Sequence, residues 1–269
     1  MMLRTFFCAA ASSIALAAAG AAAQETGAKK PERWNAPFGG SFNAYFTVVS
    51  DYSYAGISNT QLQPAVQVSL DYRTPDLLSD LPLWFYATVF GSNVSFPASG
   101  PGEEIDLAGG FKVRLLDRRL KLDLGYIRYL YPSTPAVLAY EYGEIHFQAD
   151  YDFGPFNLSA RIHHSPNFFG NSGRSWTKRL RLGVPLDFLP FNDKLPLQAY
   201  GTLGNLWVEN FLNDSLPSQD YWFWQIGLTT TVYGLDLHVA YTDTSISYEG
   251  CLYTNYCAGR IIAGVTKAF

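Results

Sequence analysis

His163 and Ser165 stand two residues apart in Arg161-Ile162-His163-His164-Ser165, a spacing that puts an imidazole and a hydroxyl on one face of an extended chain. A base beside a hydroxyl is the pairing that nucleophilic catalysis needs. Glu144 and His146 share the same spacing and could hold a weak cation, although ordinary hydration of a polar face explains them better. Cys251 and Cys257 lie close together in Gly250-Cys251-Leu252-Tyr253-Thr254-Asn255-Tyr256-Cys257. In an oxidising compartment a disulfide is their default, contributing about 2 kcal/mol by pinning so short a loop. A metal site would need further His or Cys beside them, and none is near. The chain has no Gly-rich phosphate loop, no His-Glu-x-x-His helix and no Cys cluster, so no cofactor and no metal are expected.

The elements that would hold these residues are extended. Candidate strands cover 41–50, 62–73, 83–95, 104–116, 119–131, 140–152, 156–165, 176–188, 195–209, 221–233, 235–244 and 259–269. Alternation is clean in several of them. Phe156, Leu158, Ala160 and Ile162 oppose Asn157, Ser159, Arg161 and His163, and Leu180, Leu182, Val184, Leu186 and Phe188 oppose Arg179, Arg181 and Asp187. Ile105, Leu107, Phe111, Val113 and Leu115 oppose Asp106, Lys112 and Arg114, while Leu235, Leu237, Val239 and Tyr241 oppose Asp236, His238 and Thr242. Segments 83–95 and 221–233 carry aromatics on both faces and alternate poorly. A soluble sandwich would alternate in the same way, so the period alone does not locate the protein.

The connections point to a membrane. Turns after the even-numbered segments are mostly brief (Asp117-Arg118, Phe153-Gly154-Pro155, Leu189 to Lys194, Tyr233-Gly234), with 74–82 the longest. Those after the odd ones are longer and polar or Gly/Pro-rich: Asp51 to Gln61, Phe96 to Glu103, Pro132 to Ala139, Pro166 to Ser175, Asn210 to Asp220 and Asp243 to Ala258. Up-and-down outer-membrane barrels alternate loops in this way, with short turns periplasmic and long loops outside. An even number of strands leaves both termini on one side. Trp84-Phe85-Tyr86, Tyr129, Tyr131, Tyr221-Trp222-Phe223-Trp224, Phe188 and Phe269 sit near segment ends, where membrane interfaces favour aromatics. Filling the core of a secreted sandwich is the alternative use of those rings.

The N-terminus reads as an export signal over 1–23: Arg4 is followed by an apolar run from Phe6 to Ala19, then by Ala21-Ala22-Ala23 before Gln24. The run is Ala-rich and short for an anchor helix, and Cys8 lacks the small-residue box of a lipoprotein. Residues 24–40 read as a flexible periplasmic leader, and 41–269 as one transmembrane β-barrel. A net charge of −4 with only 16% charged residues argues against nucleic acid, which requires a basic stripe. Hydrophobic content of 48% without a long apolar run suits a barrel better than membrane helices.

Three resemblances add to this. A closing aromatic, here Phe269 after Arg260-Ile261-Ile262-Ala263-Gly264-Val265-Thr266-Lys267-Ala268, resembles the assembly signal of bacterial outer-membrane barrels. Val49-Ser50-Asp51-Tyr52, Gly56-Ile57-Ser58 and Gln63-Pro64-Ala65-Val66-Gln67 resemble the opening of TorF-family porins. Gly91-Ser92-Asn93-Val94, Leu122-Asp123-Leu124-Gly125-Tyr126, Tyr129-Leu130-Tyr131-Pro132 and Ser165-Pro166-Asn167-Phe168-Phe169-Gly170 extend that likeness over roughly 45–171. Ala55 stands where that family often has Arg. The resemblance implies an outer-membrane channel. Arg161 to Ser165 with Gly173-Arg174-Ser175-Trp176 is also similar to outer-membrane phospholipase A, in which an Asn follows a Ser-Trp pair; here Thr177 takes its place. By alternation His163 and Ser165 face inward, whereas a lipid hydrolase needs them toward lipid.

The expectation is an all-β, twelve-stranded antiparallel up-and-down barrel in the bacterial outer membrane, not an enzyme. Its partners would be outer-membrane lipid, the barrel-assembly machinery through the C-terminal strand, and small polar solutes diffusing through the lumen. The inward set is mixed in sign: Asp71, Asp106, Lys112, Arg114, Glu144, His146, Asp150, Arg161, His163, Arg179, Arg181, Asp236 and His238. Acidic residues gather on 141–150 and basic ones on 112–114 and 178–181, a split that would set a transverse field across a constriction. Mutual pairing that fills a narrow barrel is the competing use of those charges.

Overall fold

The computed structural model of the chain describes residues 36–189, 195–210 and 217–269. The export signal expected over 1–23 and most of the leader lie outside the described residues. At the end of the leader, Pro37–Gly39 form a 3-10 turn, and the Pro37 carbonyl accepts a hydrogen bond from Tyr72 Oη at 2.8 Å. The strands in chain order are β1 (Ser41–Val49), β2 (Ser53–Tyr54), β3 (Ile57–Ser58), β4 (Ala65–Arg73), β5 (Leu83–Phe96), β6 (Gly100–Leu115) and β7 (Leu120–Leu130). They continue with β8 (Tyr142–Asp152), β9 (Asn157–Ser165), β10 (Ser175–Pro185), β11 (Leu197–Val208), β12 (Asp220–Val232), β13 (Leu235–Thr244) and β14 (Arg260–Ala268).

Twelve of these strands form one closed antiparallel barrel, each paired with its neighbour in sequence, while β2 and β3 form a separate hairpin. Closure joins β1 to β14 from Tyr45↔Ala268 to Val49↔Gly264. Phe269 extends the seam by donating its N–H to the Ala44 carbonyl at 2.9 Å and accepting the Ala44 N–H at 3.3 Å. Closing the ring removes every edge strand, so no ladder of unpaired backbone groups faces outward.

The period of two sorts the side chains. Val66, Val68, Leu70, Val89, Leu107, Phe111, Leu124, Ile145, Leu180, Leu182, Leu203, Ile226, Val239 and Val265 are exposed on the outer wall. The residues between them turn inward, where most of the charge lies. An apolar exterior around a polar interior inverts the arrangement of a soluble protein and is the pattern of a barrel in lipid.

The two ends differ. At one end the connections are tight: Val232 pairs with Leu235 across Tyr233-Gly234, whose φ values of 53° and 70° match a two-residue hairpin turn. At the other end the connections are longer, and several of them carry buried residues, among them Tyr54, Tyr140, Phe169 and Cys251. The expected long connection from Phe96 to Glu103 is not among them, because β5 runs to Phe96 and β6 starts at Gly100. That chain continues its ladder and turns over 97–99, Gly100 taking φ 72°. Likewise, β10 stops at Pro185, before Leu186 and Phe188. Residues 190–194 and 211–216 of the expected connections lie outside the described residues.

Candidate functional site

The interior is the part of the molecule that can do chemistry, and it is layered along the barrel axis. At the long-loop end the 50–64 connection enters the lumen instead of standing outside. Tyr52 Oη donates to Glu104 Oε1 on β6 at 2.7 Å, and Tyr54 Oη lies 3.3 Å from Thr177 Oγ1 on β10. Arg260 on β14 donates through Nη1 to the Gly56 carbonyl at 2.9 Å and through Nη2 to Ser53 Oγ at 3.1 Å. Contacts with walls this far apart mean that the β2–β3 hairpin crosses the lumen. Its anchor is Asp51, which accepts from Arg260 Nε at 2.6 Å, Ser58 Oγ at 2.5 Å and Thr60 Oγ1 at 2.9 Å. Gly56 makes the turn possible: its φ is +84°, and a Cβ there would meet Thr244 Cγ2 at 2.4 Å.

Aromatic rings complete the seal. Tyr140 stacks on Phe169 at 4.0 Å, Tyr129 on Tyr142 at 4.4 Å, and Phe96 meets Tyr131 edge-on at 5.6 Å. Such pairs contribute about 0.5–1.5 kcal/mol each beyond the area they bury. Trp84, Tyr86, Tyr129, Tyr131, Tyr221 and Phe223, expected at the membrane interface, are therefore buried inside instead. Their parity explains it: Tyr129 and Tyr131 share a face with Asp123, and Trp84 pairs across the ladder with inward Lys112. Only their ring-mates of opposite parity, such as Trp222, reach the outer wall.

Carboxylates in this sealed half are held by hydroxyls and an imidazole. Glu104 Oε2 accepts from Tyr131 Oη at 2.8 Å, and Glu144 Oε2 accepts from Tyr129 Oη at 3.0 Å and meets His163 Nδ1 at 2.8 Å. Asp106 is wholly buried beside them on β6. One layer down, Tyr86 Oη donates to Asp123 Oδ1 at 3.0 Å, His146 Nε2 lies 3.3 Å from the same oxygen, and Lys112 Nζ is 3.5 Å from Asp123 Oδ2. Tyr86, Glu104 and Asp51 join the set that the sequence suggested; Tyr86 and Glu104 share the parity of inward residues on β5 and β6, whereas Asp51 lies beyond the end of β1 and had no such signal.

Exposure rises toward the short-turn end. On β8 it goes from 0% at Glu144 and 4% at Gln148 to 25% for the side chain of Asp150, which pairs with Lys121 at 2.9 Å. Arg161 Nε donates to Gln148 Oε1, and Arg181 lies 3.8 Å over the Tyr200 ring. Arg179 sits directly across the ladder from Arg161 and 5.5 Å from the Phe223 ring. Arg114 lies 5.8 Å from the Trp84 ring, Asp71 accepts from Ser69 Oγ at 3.1 Å, and Asp236 accepts from Thr231 Oγ1 at 2.5 Å. His238 covers Gly264, where an added Cβ would strike the imidazole Cε1 at 2.2 Å. All thirteen charged positions singled out from the sequence thus line the inner wall, but in three layers rather than one constriction.

The possible catalytic pair is not assembled. His163 spends its Nδ1 on Glu144, and Ser165 is wholly buried with no hydrogen bond from its Oγ. Thr177 pairs with His163 in the ladder and turns its hydroxyl to Tyr54. Glu144 and His146 belong to different networks, and among the described residues no group of three or more His, Cys, Asp or Glu is placed to hold a metal. Cys251 and Cys257 are joined, with Cα atoms 6.0 Å apart, closing the loop before β14.

The sequence profile of a family described as a bacterial protein of unknown function (Gcw_chp) matches residues 35–268. A search of curated proteins finds no match. Among solved structures the chain is similar to an outer membrane channel from Pseudomonas putida F1, at 12% identity and a TM-score of 0.51, over 90% of this chain and 99% of that one. It is also similar to the outer membrane channel DcaP of Acinetobacter baumannii, at 11% identity and a TM-score of 0.41, over 88% and 99%. The outer membrane phospholipase of Salmonella typhi, solved as a calcium-bound dimer, follows at 13% identity and a TM-score of 0.45, over 86% and 92%. At such identities the likeness is one of fold.

Proposed function

The chain belongs to the Gcw_chp family, and from that premise we propose that it is an outer-membrane, porin-like channel for small polar or charged solutes. The observation that carries this reading is the layered lumen: charged and progressively exposed from the middle to the short-turn end, and closed at the long-loop end by a hairpin rather than by the wall. A purely structural barrel of this size could fill its interior with apolar side chains, at less cost than burying charge. The short-turn end is periplasmic in this reading, the long loops face outward, and Phe269 on the seam strand serves recognition by the assembly machinery. The TorF-family resemblance over 45–171 supports the same assignment.

Conduction requires the β2–β3 hairpin to leave the lumen, because its contacts reach β6, β10 and β14. The lower wall then selects. Arg161 and Arg181 face a neutral amide and a ring rather than a carboxylate, so the vestibule favours anions on that side. The test is single-channel recording of residues 24–269 refolded into a planar bilayer, with folding verified by heat-modifiable gel mobility. Discrete conductance steps that scale with salt support the channel; a folded, inserted and silent barrel defeats it.

A further inference from the structure

Across β8 to β12 the outer wall carries a single Lys or Arg side chain, Lys178, among largely apolar and aromatic residues. Hydrogen-bonded rows run across β8 to β12, and the uppermost carries Ile145, His164, Trp176, Trp207 and Asp220, with His164 stacked on Trp176 at 4.2 Å. This polar and aromatic row is suited to a membrane interface. The next row reads Phe147, Ile162, Lys178, Asn205 and Trp222, and the third reads Ala149, Ala160, Leu180, Leu203 and Trp224. Lys178 therefore places an exposed ammonium one row inside the aromatic border. It makes no ion pair or hydrogen bond among the described residues. Asp220, the acid of the row above, is engaged by Asn205 Nδ2 at 2.6 Å.

Beneath that ammonium the wall is concave. A groove of about 500 Å³ runs over the second and third rows, because Ala149 and Ala160 leave space between the larger Phe147, Leu180 and Leu203. An unpaired cation in hydrocarbon is expensive and seeks either water or an anion. A cation set at the head of an apolar groove matches a molecule with an anionic head and a hydrocarbon tail.

We propose that this groove binds a phosphate-bearing membrane lipid, with the phosphate at Lys178 Nζ and one acyl chain lying over Ala149 and Ala160. The site rests on the outer-membrane placement but not on conduction. It would put the lipid against β9 and β10, the strands whose inner faces carry Arg161 and Arg179.

The experiment uses residues 24–269 folded in neutral detergent, folding being verified by gel mobility. Phosphatidic acid and diacylglycerol of the same chain length are titrated and bound lipid is read by native mass spectrometry. The wild type is expected to retain one phosphatidic acid in preference to diacylglycerol. Lys178→Gln should weaken phosphatidic acid about fivefold and leave diacylglycerol unchanged. Ala160→Phe, which fills the groove without burdening the lumen, should weaken both. Lys267→Gln, on the outer wall at the opposite end, should change neither. Equal binding by Lys178→Gln and wild type would overturn the site and leave the amine simply reaching to water. An Ala160→Phe variant that binds as wild type would overturn the chain position. Failure of the wild type to fold in detergent would overturn the membrane placement and the site with it, whereas a silent bilayer with intact lipid binding would strike only the channel.

Discussion

Arg179 and Arg181 occupy successive inward positions on β10, and Arg161 lies across the ladder from the first of them. Guanidiniums so close together repel one another unless an anion or polarised groups intervene. Replacing both Arg179 and Arg181 by Glu should therefore reverse the sign of the zero-current potential in a salt gradient, toward cations, and most strongly at low ionic strength. A potential that does not move would remove these residues from the conduction path. A second prediction concerns a pair outside the lumen. Arg174 donates to Glu209 through Nη2 at 2.8 Å and through its backbone N–H at 3.0 Å, which holds the Glu209 carboxyl down at about 2. A carboxyl with a lowered folded value contributes stability above its unfolded value, near 4.5, and loses that contribution as pH falls toward 2. Protection of the Arg174 amide from exchange should exceed that of a Glu209→Gln variant near neutrality and converge with it in acid. At this scale alternation made the thirteen inward charges legible in the sequence. It could not reveal that His163 is committed to Glu144, because that partner sits on another strand and sequence spacing says nothing of it.

The strands themselves were the most legible elements, because a lipid-facing wall enforces strict parity on its residues. The β2–β3 hairpin was the least legible. Asp51 to Thr60 has no period to read, and its inward course depends on partners as distant in sequence as Thr177 and Arg260. Aromatic residues misled for a related reason: a Tyr is equally at home at an interface and in a sealed lumen, and only the parity of Tyr129 with Asp123 distinguishes the two. The hairpin's weak points follow from its contacts. Arg260→Ala removes donors to Asp51, Ser53 and Gly56 together, leaving the Asp51 carboxylate without its cation. Gly56→Val adds side-chain atoms where even a Cβ lies 2.4 Å from Thr244 Cγ2. Both substitutions should leave the barrel heat-modifiable and raise its open probability several-fold in the same bilayer recording. If both conduct as the wild type does, the hairpin is not the barrier to solute flow.

The whole molecule is held by two opposed surfaces on one sheet, and each makes sense only with the other. Twelve strands enclose a lumen between the side-chain-filled small barrels and the open porins, so polar residues can occupy it while water enters from one end. The outer wall must then meet hydrocarbon, for its exposed Val, Leu and Ile side chains have no cover of their own. That requirement can be tested without reference to transport. Leu180, midway along β10, is 48% exposed on the outer wall and stands between the inward Arg179 and Arg181, one residue from each. Leu180→Arg therefore adds a charge on the lipid-facing side of a strand whose inner side already holds two. It should destabilise the barrel by about 2–4 kcal/mol in reversible denaturant titrations from lipid vesicles. Tyr233→Arg, at the tip of a short turn where the side chain is 99% exposed, should cost roughly 0–1 kcal/mol in the same titration. Equal, small effects at both positions would mean that the outer wall is wet, and a wet wall would require a protein partner to cover it in place of a membrane.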